Sequence, residues 1–308
     1  MMYRALLALM LLVPSLWVHA EQNQLNLVAS VRPISLLMQE LTLGLPASTT
    51  TLMPKGATPH DYVLKPSDLK ALRGAELVVW LGPNAEHYLK KAVTKAPRVL
   101  TWEALEGVTK LPLRDAMHHH HHHGHDDHHD HMDAHDEAHS WDPHLWMSTA
   151  NALVLLEAMQ TQLVALRPQW QAQLETNSGK IQQRLQQQLT QMQVLLNADP
   201  QPFILAHDAY HYLESDLNIH SVATVVLDPE IKPGAKHIMA LKQRVKKDSV
   251  ACVVTDPSVS SDLLAKIDSQ STLTQVAIDP LAWDFDGNEY SLWLSSMYVK
   301  MMLCVVKD

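Results

Sequence analysis

Apolar residues along this chain follow two alternating patterns. Short continuous apolar runs predict buried strands, and the segments between them space their apolar residues as helices do. In the N-terminal part, strands are predicted over 26–31, 49–53, 77–81 and 98–101, and helices over 34–43, 66–73 and 84–93. In the C-terminal part, strands are predicted over 203–206, 222–226, 250–255 and 273–278, and helices over 210–217, 234–245 and 290–303. Strands that alternate with helices predict parallel sheets in an α/β protein.

A long amphipathic segment separates these two parts. After a predicted helix over 148–166, a Gln-rich segment begins at Pro168 and continues to about Asn197. Its apolar residues recur at helical spacing on one face, namely Trp170, Leu174, Ile181, Leu185, Leu189, Met192 and Leu195. We therefore predict two parallel-sheet lobes joined by one long helix, with a ligand cleft between the lobes.

The sequence predicts a signal peptide, two lobes and a linking helix, each with its own range. Residues 1–20 combine Arg4, an apolar stretch and Ala20 at a small-residue cleavage site, which is typical of a secretory signal peptide. An N-terminal membrane anchor is the alternative, and Pro14 and the short apolar run weigh against it. The N-terminal lobe is expected over 21–165, the linking helix over 166–199 and the C-terminal lobe over 200–308.

The balance of charged residues disfavours two classes of binding partner. The chain of 308 residues has 24 Lys and Arg against 33 Asp and Glu, for a formal net charge of −9. Binding to nucleic acid depends on clustered cations, so this balance argues against a nucleic-acid partner. A basic membrane-surface protein is disfavoured for the same reason.

Histidine is concentrated in one segment, residues 115–142, which interleaves His with Asp and Glu and contains almost nothing apolar. Such a composition cannot bury enough surface to form a core, so it predicts a disordered insertion that binds metal. The twelve histidines of this accessory metal loop are His118, His119, His120, His121, His122, His123, His125, His128, His129, His131, His135 and His139. A tolerated acidic linker is the alternative.

Three of the other histidines share a context, because each follows a proline or the end of a predicted strand. They are His60, His144 and His207, and Asp279 ends a further strand. Ligands gather at the carboxyl ends of parallel strands, so these side chains are candidates for one site. Their spacing fits no local metal motif, and on the residues alone three unrelated structural histidines remain an open alternative.

Several motifs together resemble the ZnuA-like periplasmic zinc-binding proteins of ABC importers. The motifs are GATPHDY at 56–62, KPSD at 65–68, VVWLG at 78–82, HLW at 144–146, HDAY at 207–210 and PEIKPG at 229–234. The His-rich insertion and the late cysteine pair fit the same family, and the resemblance spans essentially the whole mature chain.

The resemblance implies a function, a ligand set and a location. It implies a periplasmic receptor that delivers Zn2+ to an inner-membrane ABC permease, with His60, His144 and His207 as metal ligands. His207 favours zinc, because manganese-binding relatives typically have a carboxylate there. Asp279 matches a carboxylate that is a fourth ligand in some relatives and gives way to water in others.

Carboxylates near these histidines have predicted supporting roles. Asp208 and Glu230 are expected to orient the imidazole N–H groups, or else to lie on the surface or cap helices. His211, four residues after His207, is a weak accessory candidate. The remaining histidines, His87, His220 and His237, are expected to be structural or solvated.

The two cysteines, Cys252 and Cys304, both lie in the C-terminal part of the chain. An exported protein meets an oxidising compartment, so the pair is expected to form a disulfide that fastens the C-terminal segment to the second lobe. A thiol pair in a metal or redox site is the alternative, although no C-x-x-C motif supports it.

Other functions compete with that of a zinc receptor. A manganese or iron receptor of the same fold is one, and a three-histidine zinc hydrolase is another. The sequence contains no H-E-x-x-H, G-x-S-x-G or P-loop motif, so we expect no enzymatic activity. A passive metal buffer that uses only the His-rich loop is a third alternative. We expect a monomer that binds no nucleic acid.

Overall fold

The computed structural model describes residues 24–59, 62–114, 141–196, 200–268 and 272–306. The predicted signal peptide and nearly all of the predicted His-rich loop therefore lie outside the described residues. A first parallel sheet comes from the N-terminal part, with the strand order β2-β1-β3-β4. Its strands are β1 (Leu25–Ala29), β2 (Ala47–Thr51), β3 (Leu77–Trp80) and β4 (Val99–Thr101).

A second parallel sheet repeats this arrangement in the C-terminal part, with the order β6-β5-β7-β8. Its strands are β5 (Phe203–His207), β6 (Ala223–Val226), β7 (Cys252–Thr255) and β8 (Thr274–Ala277). The prediction of two parallel-sheet lobes is thus confirmed. In both sheets the chain starts one strand in from the edge and later crosses back over this first strand. Because all strand pairs are parallel, the carboxyl ends of the strands lie at one edge of each sheet.

Helices connect and cover the strands. They are α1 (Arg32–Leu41), α2 (Pro66–Gly74), α3 (Thr149–Leu166), α4 (Gln171–Leu195), α5 (His211–Leu217), α6 (Ala235–Lys247), α7 (Ser261–Ile267) and α8 (Tyr290–Val305). Local sequence explains several of their ends. The Ser148 side chain accepts the backbone N–H of Asn151 at the start of α3, and α5 ends at Asn218 in the left-handed conformation.

Alternating residues of each strand pack on opposite sides of the sheet. In β1, Leu27 and Ala29 join the large core between the lobes, whereas Val28 packs in a separate outer cluster. In β5, Leu205 joins the large core and Ile204 an outer cluster on the other face. The central strands of both sheets are therefore buried on two sides, which explains why β3, β5 and β7 are mainly apolar runs, whereas the edge strands β2 and β8 carry several polar residues.

The long helix α4 links the lobes as the sequence predicted. On its predicted apolar face, Trp170, Leu174, Ile181 and Leu185 are buried in the large core. Leu195, near its end, is 61% exposed, so the face loses contact with the core there. The last helix, α8, packs against α1, α4 and the second sheet, and its residues complete the core that both lobes share.

The prediction of a helix over 84–93 is wrong. That segment instead forms two short 3-10 turns, His87–Leu89 and Val93–Lys95. The buried Glu86 carboxylate accepts the backbone N–H of Leu81 at 2.8 Å, and this contact bends the chain back at the end of β3. The seven-residue α7 was not predicted, because only Leu264 and Ile267 of it are buried.

The predicted disulfide between Cys252 and Cys304 is confirmed. The two Cα atoms lie 5.5 Å apart, and the bond fastens α8 to the first residue of β7. Within the described residues, no helix is long and apolar enough to span a membrane.

Candidate metal centre

One small cleft brings together the candidate ligands that the structure describes. His144, His207 and Asp279 all line it. His207 is the last residue of β5, and Asp279 lies two residues beyond β8. Thr58 and Pro59, from the loop after β2, line the same cleft. Segments of both lobes therefore meet there, as the prediction of an interlobe cleft requires.

Asp142 holds the imidazole of His144. Its Oδ1 atom accepts the backbone N–H of His144 at 2.9 Å and lies 2.7 Å from Nδ1 of the same residue. The ring of Trp146 meets the imidazole edge-on, with 5.1 Å between centroids. The Trp146 indole N–H in turn donates to the carbonyl of Pro280 at 2.7 Å, which links this segment to the second lobe.

A second carboxylate, Asp256, holds the imidazole of His207. Its Oδ2 atom lies 3.3 Å from Nδ1 of His207. Its Oδ1 atom accepts the backbone N–H of Ser258 at 2.7 Å and also the Ser258 hydroxyl. Asp256 directly follows β7, the neighbour of β5, so the sheet itself sets this pair side by side.

The two imidazoles have the same orientation relative to their carboxylates. Each points Nδ1 at a carboxylate, which favours a proton on Nδ1 and leaves Nε2 as the nitrogen with a lone pair. The two rings lie next to each other, with centroids 5.4 Å apart and planes at 79°. Carboxylates placed behind imidazoles in this way orient the rings and raise their basicity toward a metal.

The charges in the cleft shift the pKa values of these groups. Burial lowers the pKa of His144, but Asp142 outweighs burial and raises the pKa above its ordinary value. Burial raises the pKa of Asp142 and Asp256, yet their imidazole partners hold both below the usual range for a carboxyl. Both carboxylates are therefore ionised at neutral pH and attract a cation to the cleft.

Asp279 is held by its own turn. Its Oδ1 atom accepts the backbone N–H of Leu281 at 3.0 Å, and its Oδ2 atom accepts that of Asp284 at 2.9 Å. Burial raises its pKa, and these backbone donors act in the opposite direction. Each carboxylate oxygen has a further lone pair, so the side chain is chemically able to add a fourth ligand.

His60 and the predicted accessory histidines lie outside the described residues. The residue before His60, Pro59, is buried and lines the cleft. Among the described residues, no three His, Cys, Asp or Glu side chains form a group that could hold a metal ion. The three-histidine ligand set thus stays a prediction.

The other histidines have separate surroundings. His211 lies with Nδ1 3.7 Å from Oδ2 of Asp142, on the side of that carboxylate away from His144, and burial lowers its pKa. His237 has Nε2 3.0 Å from the carbonyl of Val225, which is a structural role. His220 is exposed, and His87 lies on a 3-10 turn at the edge of a neighbouring pocket.

The predicted orienting roles of Asp208 and Glu230 are wrong. Asp208 pairs with Arg114, whose Nε lies 3.0 Å from Asp208 Oδ1, and Glu230 is exposed. Asp142 and Asp256 occupy the positions behind the imidazoles instead. The role of Asp142 could have been predicted from the sequence, because it lies only two residues before His144. Asp256 is 49 residues from His207 and only the pairing of β5 with β7 reveals it.

The chain on either side of the His-rich segment is anchored to the second lobe. Arg114 also pairs with the buried Glu214 at 2.6 Å, and the Tyr212 hydroxyl donates to the Asp142 carbonyl at 2.9 Å. Pro112 and Trp141 form an antiparallel bridge. The two ends of the segment therefore meet beside the cleft.

Comparisons with known proteins agree on one family. The profile of the family described as "Zinc-uptake complex component A periplasmic" (ZnuA) matches residues 27–306. The high-affinity zinc uptake system protein ZnuA of Yersinia pestis is 28% identical over 288 residues, which cover 90% of each chain. That of Haemophilus ducreyi is 30% identical over 264 residues, which cover 83% of this chain and 84% of the relative.

Solved structures show the same fold. A crystal structure of ZnuA aligns with a TM-score of 0.76 at 20% identity, covering 92% of this chain and all of that one. The protein FpvC of Pseudomonas aeruginosa in complex with Mn2+ aligns with a TM-score of 0.73 at 16% identity, covering 92% and 98%. At these identities the likeness concerns the fold alone.

Proposed function

Since this chain belongs to the ZnuA family of periplasmic zinc-uptake components, we propose that it is a zinc receptor. It binds one Zn2+ in the cleft between its lobes and delivers the ion to an ABC permease in the inner membrane. The ion is cargo, so the protein carries out no reaction on it. The predicted signal peptide and the periplasmic family support export to the periplasm, where the receptor acts as a monomer.

The observation that carries this proposal is the pair of imidazoles, His144 and His207, each backed by a carboxylate in one cleft. Zinc binds imidazole nitrogens in a four-coordinate shell. A neutral imidazole binds zinc more strongly than it binds the harder manganese ion. We propose His60 as the third ligand, because it follows Pro59, which lines the cleft. Asp279 is the proposed fourth ligand.

A receptor also fits the cleft better than a hydrolase does. A zinc hydrolase needs an open coordination position and a carboxylate placed to act as a base on water. The Asp256 carboxylate is instead occupied by His207, Tyr210 and Ser258, and the Asp279 carboxylate, held by two backbone N–H groups, is the proposed fourth ligand and fills the position that a reactive water would need. These contacts hold side chains in place, which is what selective binding of a bare ion requires.

Zinc affinity should fall as the pH drops from about 7 to about 5. An imidazole must be neutral to bind zinc, and its ordinary pKa is about 6.5. Because Asp142 raises the pKa of His144, a proton competes with zinc there at a higher pH than at an isolated imidazole. Each such ligand contributes up to about tenfold per pH unit below its pKa. Competition titrations at constant ionic strength measure this, and a flat affinity across the window would exclude an all-histidine site.

Removing the His-rich segment should leave one tight zinc site and abolish weaker ones. A segment that is disordered, as the sequence predicts here, must order its ligands on binding, so each loop site should be weaker than the cleft site. The deletion should cover 115–140, because Asp142 holds the His144 imidazole and the Pro112–Trp141 bridge already brings the ends together. A short Gly-Ser linker can then join Arg114 to Trp141.

Calorimetry of this deletion decides the binding part of the prediction, and a variant that keeps the segment but replaces its histidines by Asn is the matched control. Both should bind one equivalent of zinc tightly. Loss of the tight site from both, or retention of every weak site, would contradict the assignment. Transport in cells should suffer mainly when zinc is severely limiting.

A further inference from the structure

The hydroxyl of Tyr210 lies at the point where three strand ends of the second lobe meet. Tyr210 is fully buried and follows β5 by three residues. Its hydroxyl oxygen lies 3.2 Å from Oδ2 of Asp256, the residue after β7, and 3.0 Å from the carbonyl oxygen of Ile278, the residue after β8. One side-chain atom therefore touches both the partner of His207 and the residue that precedes Asp279.

The Tyr210 hydroxyl cannot donate a full hydrogen bond to both the Asp256 carboxylate and the Ile278 carbonyl. A phenol has a single proton to donate, and a carboxylate and a carbonyl oxygen are both acceptors. Asp256 already receives His207 at Oδ2 and two donors from Ser258 at Oδ1. The Ile278 carbonyl lies in the buried core, where an acceptor that loses its donor is costly.

A metal ion on His207 changes the balance between the two acceptors. An ion bound to Nε2 makes the Nδ1–H of that imidazole a stronger donor, so the imidazole satisfies more of the Asp256 charge. The Tyr210 hydroxyl then donates its proton more strongly to the Ile278 carbonyl. Occupation of His207 thereby strengthens the contact that holds the start of the Asp279 turn.

Several contacts connect the residues of the Asp279 turn to one another and to their surroundings. The carboxylate closes the turn on itself through the backbone N–H groups of Leu281 and Asp284. Within the same turn the Pro280 carbonyl accepts the Trp146 indole N–H, so the turn is fastened on one side to the His144 segment. On the other side, the Tyr210 hydroxyl contacts the carbonyl of Ile278 at the start of the turn.

We propose that Tyr210 is a positioning residue that sets the Asp279 carboxylate against the histidine site and so determines whether the bound ion receives a fourth protein ligand. This inference rests on the proposed function. Tyr210 acts through Asp279 and has no need to touch the ion itself.

The test compares Tyr210→Phe with Tyr298→Phe. Tyr298 is a matched control, because it is also a buried tyrosine whose hydroxyl donates to a carboxylate, Asp216, at 2.7 Å, and it does not line the cleft. Phe keeps the ring in both variants, and near-UV circular dichroism of the metal-free proteins checks that both are folded. Zinc affinity should fall about tenfold in Tyr210→Phe, the lower end of the effect of losing an outer partner. It should stay within about twofold of the parent in Tyr298→Phe.

Visible spectra of the Co2+ form and a double-mutant cycle supply readouts that a merely structural role would not move. The Co2+ spectrum, which reports coordination number and ligand type, should change in Tyr210→Phe and not in Tyr298→Phe. In an Asp279→Asn background, Tyr210→Phe should have no further effect on zinc affinity or on the spectrum. Equal losses in both backgrounds, or a parent-like affinity and spectrum in Tyr210→Phe, would overturn the proposal. A parent protein that binds no zinc in the cleft would instead refute the proposed function.

Discussion

Replacing His144 or His207 by alanine is expected to weaken zinc binding in the cleft by orders of magnitude. Loss of an outer partner of a ligand costs roughly 10- to 100-fold in metal affinity, and loss of the ligand itself should cost more. His60→Ala should have an effect of the same size. The fold should survive all three changes, because both sheets are covered by cores of hydrophobic side chains.

The matched control is His220→Gln, which removes an exposed histidine of the second lobe. Competition titrations against a chelator of known affinity measure the zinc constants, and thermal melts of the metal-free proteins measure the fold. His220→Gln should bind as the parent does. If the three alanine variants also kept the parent's affinity, the ligand assignment would be wrong.

Removal of the disulfide is expected to cost stability and to spare zinc binding. The Cys252–Cys304 bond closes a loop with a sequence separation of 52 residues, for which the chain-entropy estimate is about 4 kcal/mol, an upper figure for real proteins. Cys252 begins β7, whereas Asp256 lies beyond its other end at the cleft. The bond therefore supports the lobe from the edge opposite the metal centre.

A Cys252→Ala/Cys304→Ala double variant tests this separation of roles. Its free energy of unfolding in guanidinium chloride should fall by about 2–4 kcal/mol. Its zinc affinity under native conditions should match that of the parent. Reduction of the parent by a thiol should reproduce the loss of stability. Unchanged stability would show that the packing of α8 alone fixes the C-terminal segment, and a large loss of zinc affinity would show that the two edges of the lobe are coupled.

The sequence predicted the sheets well because their central strands are buried on both faces. A continuous apolar run such as Phe203–His207 that ends in a polar residue marks both the strand and its carboxyl edge. The placement of His207 and Asp279 in one cleft followed from that same rule. The apolar face of α4 was visible for the same physical reason, since one side of the helix packs on the core.

The features that the sequence missed depend on contacts between distant parts of the chain. The turns at His87–Leu89 replace a predicted helix because the Glu86 side chain binds backbone at the end of β3. The predicted role of Asp208 in orienting an imidazole is wrong, because its carboxylate pairs with Arg114. Asp256, which directly follows the neighbouring strand β7, supplies the carboxylate to His207 instead. Proximity in sequence is a poor guide wherever a sheet sets the neighbours.

We propose that a single zinc ion binds to three histidines in the interlobe cleft. A crystal structure of the one-to-one zinc complex, with anomalous differences collected at the zinc edge, tests it most directly. We predict one strong anomalous peak in the cleft, with nitrogen atoms of His60, His144 and His207 at about 2.0–2.1 Å. A peak outside the cleft, or one in the cleft without two or more of these imidazoles, would contradict it.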